Sequence, residues 1–485
     1  MSQGTTVTRG FETVIGLEVH LQFNTQTKIF CRCANLFGQK PNSLTCPVCL
    51  GLPGSLPVLN ERALEYAIKV ALALNCEVSP FIKFDRKNYY YPDLPKGYQI
   101  SQYDHPIARN GHLLIPTEQG DKKIRIHRAH LEEDAGKLIH DPKRGCSLVD
   151  YNRTGTPLME IVTEPDLRSP QEAYDYLLKL KLTLQYLSVS DCDMEKGSLR
   201  CDANISLRPQ GEVRLGTKSE VKNMNSFKAV KAALNYEEER QKKTLLSGQG
   251  LVQETRLWND IHGTTIPMRS KEEAHDYRYF PEPDLVPFTI SDALITKIRQ
   301  SLPELPDAKL KRFQQTYQLS TYDTQILIQE GAFADFFEVC AGLYPETKYI
   351  ANWMIGPLLS ELNARKVGIG ETQLKPQNFC DIIQKVTTGT LSNLAGKEVL
   401  KSVLETGQPL DQIIREKGLA QVSDEESLKQ IVDEVISENE KIVIQIKQGK
   451  ESAIGFLIGE AMKKSKGKAN PKVIGQLLRR RLQDD

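Results

Sequence analysis

No apolar run in this 485-residue chain approaches the roughly 20 residues needed to cross a bilayer. The segment Met1 to Gly10 carries neither the apolar stretch of a secretory signal nor an Arg/Ser-rich amphipathic pattern, so the expected compartment is the cytoplasm, with no membrane attachment. Net charge is missing as well. Lys and Arg number 63 against 62 Asp and Glu, so no global field draws the chain to nucleic acid. DNA is not an expected partner, and any RNA contact must use local patches. Internal repeats and low-complexity tracts are absent.

Two catalytic signatures are also lacking. Gly211-Glu212-Val213-Arg214-Leu215-Gly216-Thr217-Lys218 has the glycines of a phosphate loop but no Gly-Lys-Ser/Thr triplet, so it reads as a hairpin between polar strands. Any use of ATP must therefore rest on another fold. No Gly-x-Ser-x-Gly element marks a serine hydrolase.

What is present divides by texture. Residues 1–291 read as short alternating segments separated by Gly, Pro and Asn, the pattern of an α+β domain. One helix stands out, starting at Ser169-Pro170-Gln171-Glu172, where Ser supplies the N-cap, Pro suits the first turn and Glu completes a capping box. Ala173, Leu177, Leu180, Leu184 and Leu187 then form one apolar stripe. The proline-rich stretch from Phe280 to Pro287 ends this domain, because proline neither continues a helix nor pairs in a central strand. Residues 292–408 and 409–485 read as two all-α domains divided at the Gly407-Gln408-Pro409 break. In the second, Ser423 to Glu426 forms a capping box ahead of Leu428, Ile431, Val432, Val435 and Ile436 on one face.

Ten cysteines in a chain with no secretory signal point to thiols or metal rather than disulfides. Cys31-Arg32-Cys33 followed by Cys46-Pro47-Val48-Cys49 offers four thiolates at paired spacings, a closed tetrahedral site for structural zinc. Cys76, Cys146, Cys192, Cys201, Cys340 and Cys380 stand alone and read as small buried apolar residues.

A second constellation is acidic. In Ile15 to Leu21, alternation puts Leu17, Val19 and Leu21 on one face and Glu18 with His20 on the other. In Leu199 to Ile205 the same period sets Arg200, Asp202 and Asn204 opposite Leu199, Cys201, Ala203 and Ile205. Glu132, Glu133 and Asp134 form a run, and Glu160 lies among apolar neighbours in Pro157 to Val162, where a buried carboxylate needs a partner. Each of these alone reads more readily as part of a solvated strand face than as a site. Together, carboxylates and one imidazole are what a Mg²⁺ site for nucleotide phosphates requires. Basic residues gather near the end, at Lys463, Lys464, Lys466 and Lys468 and again at Arg479 to Arg481, as a solvated surface or an RNA-backbone patch.

At several of these residues the chain resembles the family of B subunits of the aspartyl/glutamyl-tRNA(Asn/Gln) amidotransferases. The matching segments are ETVIGLEVHLQ (Glu12 to Gln22), FDRKNYYY (Phe84 to Tyr91), QISQY (Gln99 to Tyr103), HLEEDAGK (His130 to Lys137), NRTGTPLMEIVTEPD (Asn152 to Asp166), EKGSLRCDANIS (Glu195 to Ser206), VKNMNSF (Val221 to Phe227), DYRYFPEPD (Asp276 to Asp284) and GKANPKVIGQL (Gly467 to Leu477). The resemblance implies an antiparallel α+β cradle domain of the glutamine synthetase/guanidino kinase type, then a helical domain and a small helical tail that binds tRNA.

It further implies an ATP- and Mg²⁺-dependent ligase. ATP phosphorylates the side-chain carboxylate of mischarged Glu-tRNA(Gln) or Asp-tRNA(Asn), and ammonia from an amidase-type A subunit displaces phosphate, with a small C subunit completing a heterotrimer. Carried over by position, the catalytic centre falls on Glu18, His20, Glu133, Glu160 and Asp202, with His20, Glu133 and Glu160 on magnesium. Glu132, Arg200 and Lys222 are expected to contact the nucleotide. The competing reading is a non-catalytic subunit that binds only zinc and tRNA. An archaeal-type relative acting on Glu-tRNA(Gln) alone would carry an extra domain for which this chain leaves no room.

Overall fold

The computed structural model describes residues 10–268, 277–419, 425–447, 451–465 and 469–484, and falls into two compact units, Met1–Pro306 and Asp307–Asp485. The first unit's principal elements are, in chain order, β1 (Phe11–Gln22), α1 (Glu61–Ala73), β2 (Asp85–Asn88), β3 (Tyr98–Ser101), β4 (Ala108–Thr117), β5 (Gly120–Glu133), β6 (Pro157–Thr163), α2 (Pro170–Tyr186), β7 (Leu199–Pro209), β8 (Ser219–Lys222), α3 (Phe227–Leu246), β9 (Glu254–Asn259) and β10 (Thr264–Pro267). Their sheet runs β10-β9-β8-β7-β1-β6-β5-β3-β2, with β4 on β5 and Phe280–Pro281 closing the β2 edge. Pairing is antiparallel apart from β8 with β9. Mixed α and β structure with an antiparallel-dominated sheet is thus observed, followed by a helical second unit.

Alternation decides which face is which. Leu17, Val19 and Leu21 of β1, Met159 and Ile161 of β6, and Cys201, Ala203 and Ile205 of β7 all enter one hydrophobic core. Three helices supply the other half of that core through Ala67 and Ile68 of α1, Leu177, Leu180 and Leu184 of α2, and Val230 and Leu234 of α3. Each buried Leu, Ile, Val or Met among them contributes roughly 1.5 to 3 kcal/mol, so the sheet cannot slip by one residue without losing the whole set. Ser169 caps α2 by accepting from Glu172 N at 3.2 Å. The Glu172 carboxylate accepts from Arg168 N at 2.6 Å, so it closes the turn one residue earlier than the capping box would.

The first unit extends past residue 291. Ile298 of the helix Asp292–Gln300 is buried in the sheet's own core, with Leu294 and Ile295 packed beside it, and the chain leaves that core only at Pro306. A second core runs from Phe313 to Ile414 and a third from Leu428 to Leu478. Gly407 ends its helix with φ +65°, yet Leu410, Ile413 and Ile414 beyond it bury in the second core, so apolar contacts bridge the Gly-Gln-Pro break. Leu428, Val432 and Val435 line one face of Glu425–Glu438, with Ile431 and Ile436 packed alongside. Ser423 and Asp424 lie outside the described residues.

Of the lone cysteines, Cys76, Cys192, Cys201, Cys340 and Cys380 are buried. Cys146 is exposed, contrary to expectation, because it begins one strand of the hairpin Lys137–Asp141/Cys146–Asp150, which forms a separate two-stranded sheet. Among the described residues no helix is long and apolar enough to cross a membrane.

Candidate active site

The face of the sheet opposite the helices carries a row of polar side chains set by strand register. His20 on β1 pairs with Arg200 on β7 and with Glu160 on β6, and Glu160 in turn pairs with His130 on β5. Four strands therefore place an arginine, an imidazole, a carboxylate and a second imidazole side by side. His20 Nε2 lies 3.4 Å from Glu160 Oε2, and His130 Nε2 lies 3.6 Å from the same oxygen and 3.5 Å from Glu132 Oε2. Ser101 Oγ of β3 donates to Glu132 Oε2 at 3.1 Å.

The next row along the strands sets Glu18 opposite Asp202. Asn204 Nδ2 donates to Glu18 Oε1 at 3.0 Å, and Lys222 Nζ on β8 bridges Asp202 Oδ2 at 2.6 Å and Glu220 Oε1 at 2.9 Å. Past the end of β5, Asp134 is buried and receives Gln22 Nε2 at 2.6 Å and Arg200 Nη2 at 3.0 Å.

Electrostatics separate these acids. Burial, then the nearby Glu160 carboxylate, raises the Glu18 carboxyl above its ordinary pKa. At Glu160 burial acts the same way, but the adjacent His130 and His20 outweigh it and hold the group well below the ordinary range. Glu132 is likewise lowered against its burial by His130 and by the charge of Lys87. His20 moves in the complementary direction: burial disfavours the imidazolium, and Glu160 reverses the balance and raises its pKa. His130 Nδ1 and Arg200 Nε are buried without hydrogen-bond partners among the described residues, as in a polar site built to hold something more than itself.

Glu133 does not join this cluster. The ligand atoms of His20, Glu132 and Glu160 all lie within 4.8 Å of one another, whereas Glu133, one residue further on a strand, points to the other face. There its carboxylate is ion-paired with Lys96 and accepts from Ile100 N at 2.9 Å, in a cavity of 160 Å³ that Cys31, Cys49 and Gly51 also line. Where the resemblance puts Glu133 on the metal, the carboxylate that lies beside His20 and Glu160 is that of Glu132. His130 and Lys87 were not singled out from the sequence, and Asp134 figured there only as the end of an acidic run, although His130 shares the parity of Glu132 and was open to the same alternation argument. Lys87 gave no sequence signal beyond its place in the FDRKNYYY segment.

The four cysteines converge as their spacing indicated. All four sulfurs lie within 4.8 Å of one another, and Cys46 and Cys49 are 3.9 Å apart. A tetrahedron with Zn–S bonds of about 2.3 Å has edges of about 3.8 Å, so the set fits zinc. The Cys49 thiol is held below its ordinary pKa, first by a hydrogen bond from Cys31 and also by the Lys28 ammonium, whose Nζ is 3.7 Å from Cys49 Sγ. Gly51 ends the turn after Cys49 with φ +68°, and a Cβ there would collide with the Lys96 side chain, so only glycine closes the loop.

In the tail, Lys463 Nζ pairs with Glu460 at 2.6 Å and Lys464 Nζ with Glu434 at 2.9 Å and Glu438 at 2.6 Å, while Lys466 and Lys468 lie outside the described residues.

The sheet unit with its four-cysteine loop and the helical part that follows each fall within a known family model. Residues 13–296 match the model of the GatB/GatE catalytic domain and residues 335–482 that of the GatB domain, and the chain belongs to the GatB/GatE family. It is similar to the B subunit of the aspartyl/glutamyl-tRNA(Asn/Gln) amidotransferase of Carboxydothermus hydrogenoformans, at 53% identity over 98% of this chain and 99% of the relative. The B subunits of the same name from Moorella thermoacetica and Persephonella marina are 52% and 53% identical, over 97% and 96% of this chain and 100% and 98% of theirs.

Proposed function

We propose that this chain is the B subunit of a tRNA-dependent amidotransferase, the subunit that activates the side-chain carboxylate of Glu-tRNA(Gln) or Asp-tRNA(Asn) with ATP so that ammonia can replace the hydroxyl. The observation that carries the reading is the in-register row His20, Glu160 and His130, with Glu132 beside it, on the open face of the sheet in a chain of this family. A carboxylate is a poor electrophile and an acyl phosphate a good one, so the work of the site is to bring phosphate to carboxylate and keep bulk water away.

His20, Glu132 and Glu160 would hold a divalent cation, magnesium in this reading, which supplies charge to offset that of the phosphate oxygens. Arg200 and Lys222 stand at either end of the acidic rows with their side chains about one-third exposed, where they can turn from Asp134 and Asp202 toward a phosphate oxygen. Asp202 holds Lys222 in place, Glu18 beside it faces the substrate carboxylate, and Glu133, paired with Lys96 on the opposite face, acts by fixing the strand end that carries Glu132. The four thiolates would hold a structural zinc, since a closed set leaves no position for water.

In this reading the sheet unit is the cradle domain, the helical part and tail are the second and third domains, and the tail lysines approach the tRNA backbone. Ammonia comes from a glutaminase A subunit, with a small C subunit in the same cytoplasmic heterotrimer.

Glu160→Ala and Asp202→Ala test it. In the assembled amidotransferase each is expected to cut amidation by at least about 10²-fold, the scale of losing a metal ligand or charge-stabilising group. Glutaminase activity persists, and Mn²⁺ binding followed by electron paramagnetic resonance weakens in Glu160→Ala. Near-normal amidation by both variants would end the proposal.

A further inference from the structure

Beside the acidic rows, at the β2 edge, tyrosines gather that neither the proposed chemistry nor the core uses. Tyr103 and Tyr279 are stacked with ring centroids 4.2 Å apart and planes 11° from parallel. Tyr277 meets Tyr279 edge-on at 6.0 Å and Tyr89 at 6.0 Å, and Lys87 Nζ sits 4.8 Å from the centroid of the Tyr277 ring. None of these four rings belongs to the first unit's hydrophobic core, and Tyr103 keeps 52% of its surface in solvent although one face is stacked.

Backbone pairing fixes where this cluster stands. Asn88 N donates to Tyr277 O at 2.9 Å and Asn88 Nδ2 to Arg278 O at 2.8 Å, and Phe280 pairs with Arg86, so the segment from Tyr277 is tied to β2. Tyr103 N approaches Asp85 Oδ2 at 3.3 Å. Two residues before Tyr103, Ser101 pairs with both Asp85 and Glu132, and its hydroxyl holds the Glu132 carboxylate. The stack thus lies one strand away from the candidate cation site.

We propose that the Tyr103/Tyr279 stack is a subsite for an adenine ring, brought by the 3′-terminal adenosine of the tRNA substrate or by ATP. The assignment rests on the function proposed above. Two near-parallel rings with exposed surface are a platform that a planar base extends, and stacking of this kind takes any base with a π-face. Both substrates of the proposed reaction carry adenine. In one of them the reacting amino acid is esterified to the adenosine itself, so that base must lie close to the carboxylate being activated. Lys87, among the tyrosines and electrostatically coupled to Glu132 and Glu160, places positive charge between the platform and the acids, where a phosphate or ester would pass.

The test is fluorescence of 2-aminopurine, which stacking quenches, read with the full chain in its assembled amidotransferase. One probe is tRNA whose 3′-terminal adenine is replaced by 2-aminopurine; the other is 2-aminopurine riboside triphosphate. Quenching of either probe is expected with the wild type and with Tyr103→Phe. In Tyr103→Leu, which keeps apolar bulk without the ring, affinity for that probe falls about tenfold, the lower end of what one stacked base contributes. Response of the tRNA probe alone assigns the subsite to the acceptor end, and response of the triphosphate alone assigns it to ATP.

No quenching of either probe, or identical behaviour of Tyr103→Leu and wild type with circular dichroism unchanged, overturns the proposal. Failure here is separable from failure of the function. If Glu160→Ala abolishes amidation while Tyr103→Leu leaves KM for both substrates unchanged, only the stack is lost. If Glu160→Ala amidates normally, the activation site falls and the probes still report on the stack directly.

Discussion

Lys96 and Glu133 are a buried ion pair, with side chains 5% and 2% exposed, and the carboxylate's second anchor is a backbone N–H. A pair this deep gains little over well-packed neutral groups, but removing one member strands the other in a low-dielectric site. Lys96→Met is therefore expected to lower the unfolding free energy by about 3 to 5 kcal/mol, and Lys96→Met with Glu133→Gln to recover most of it. Urea titration of the full chain checks both, and a single variant as stable as the wild type would show that the charge is relieved by water. Glu132, one residue away, is held instead by the Ser101 hydroxyl and the His130 imidazole, which in the proposed function leaves its charge to a cation.

At the scale of elements, the four-cysteine loop gives the sharpest expectation. Cys46→Ser should take bound zinc from one equivalent per chain toward none by elemental analysis and lower thermal stability, with carboxylate phosphorylation affected less than zinc content. Zinc far below one equivalent in the intact, reduced wild type would reject the site.

That loop was legible because local spacing alone specifies it. The strand faces were legible for the same reason, since Glu18 with His20, and Arg200 with Asp202, follow from a period of two. What could not be read was which strands lie next to each other, because His20 and Glu160 are far apart in the chain and register is a tertiary fact. Which of Glu132 and Glu133 shares a face with His20 could not be read for a more particular reason. On β5 the core positions are Ile124 and Ile126, then Ala129 and Leu131, and the pairing with β6 shifts between Val162 and Thr163. The bulge reverses the phase. Alternation counted from Ile124 would turn Glu133 toward the site, and only the extra residue turns Glu132 there instead. The first compact unit runs past the proline-rich stretch because such a stretch ends regular pairing without ending a core, and Ile298 buries beyond it.

At the scale of the whole molecule, near-neutral charge means that tRNA must be held by patches, and the proposed tail patch can be weighed. Lys463 and Lys464 already pair with glutamates on the surface, where solvent screens such pairs and they exchange readily for phosphate. If all four tail lysines meet phosphates, replacing Lys463, Lys464, Lys466 and Lys468 with Ala lessens the slope of log affinity against log salt by about 3 to 4, at 0.7 to 0.9 per phosphate. Amidation at saturating tRNA should be retained. An unchanged slope would remove the tail from the RNA interface.

The position of β1 in the middle of the sheet has a consequence for how the molecule comes into being. Of the four strands that build the row, β1 leaves the ribosome first, and its partners β6 and β7 follow only at Pro157–Thr163 and Leu199–Pro209. Until then a twelve-residue strand with one apolar face is an open edge on both sides, the kind of segment that pairs with a neighbouring nascent chain. Synthesis interrupted before β7 yields a polypeptide with no Arg200 or Asp202 and with β1 unpaired on one side, so prematurely terminated products should be insoluble rather than partly active.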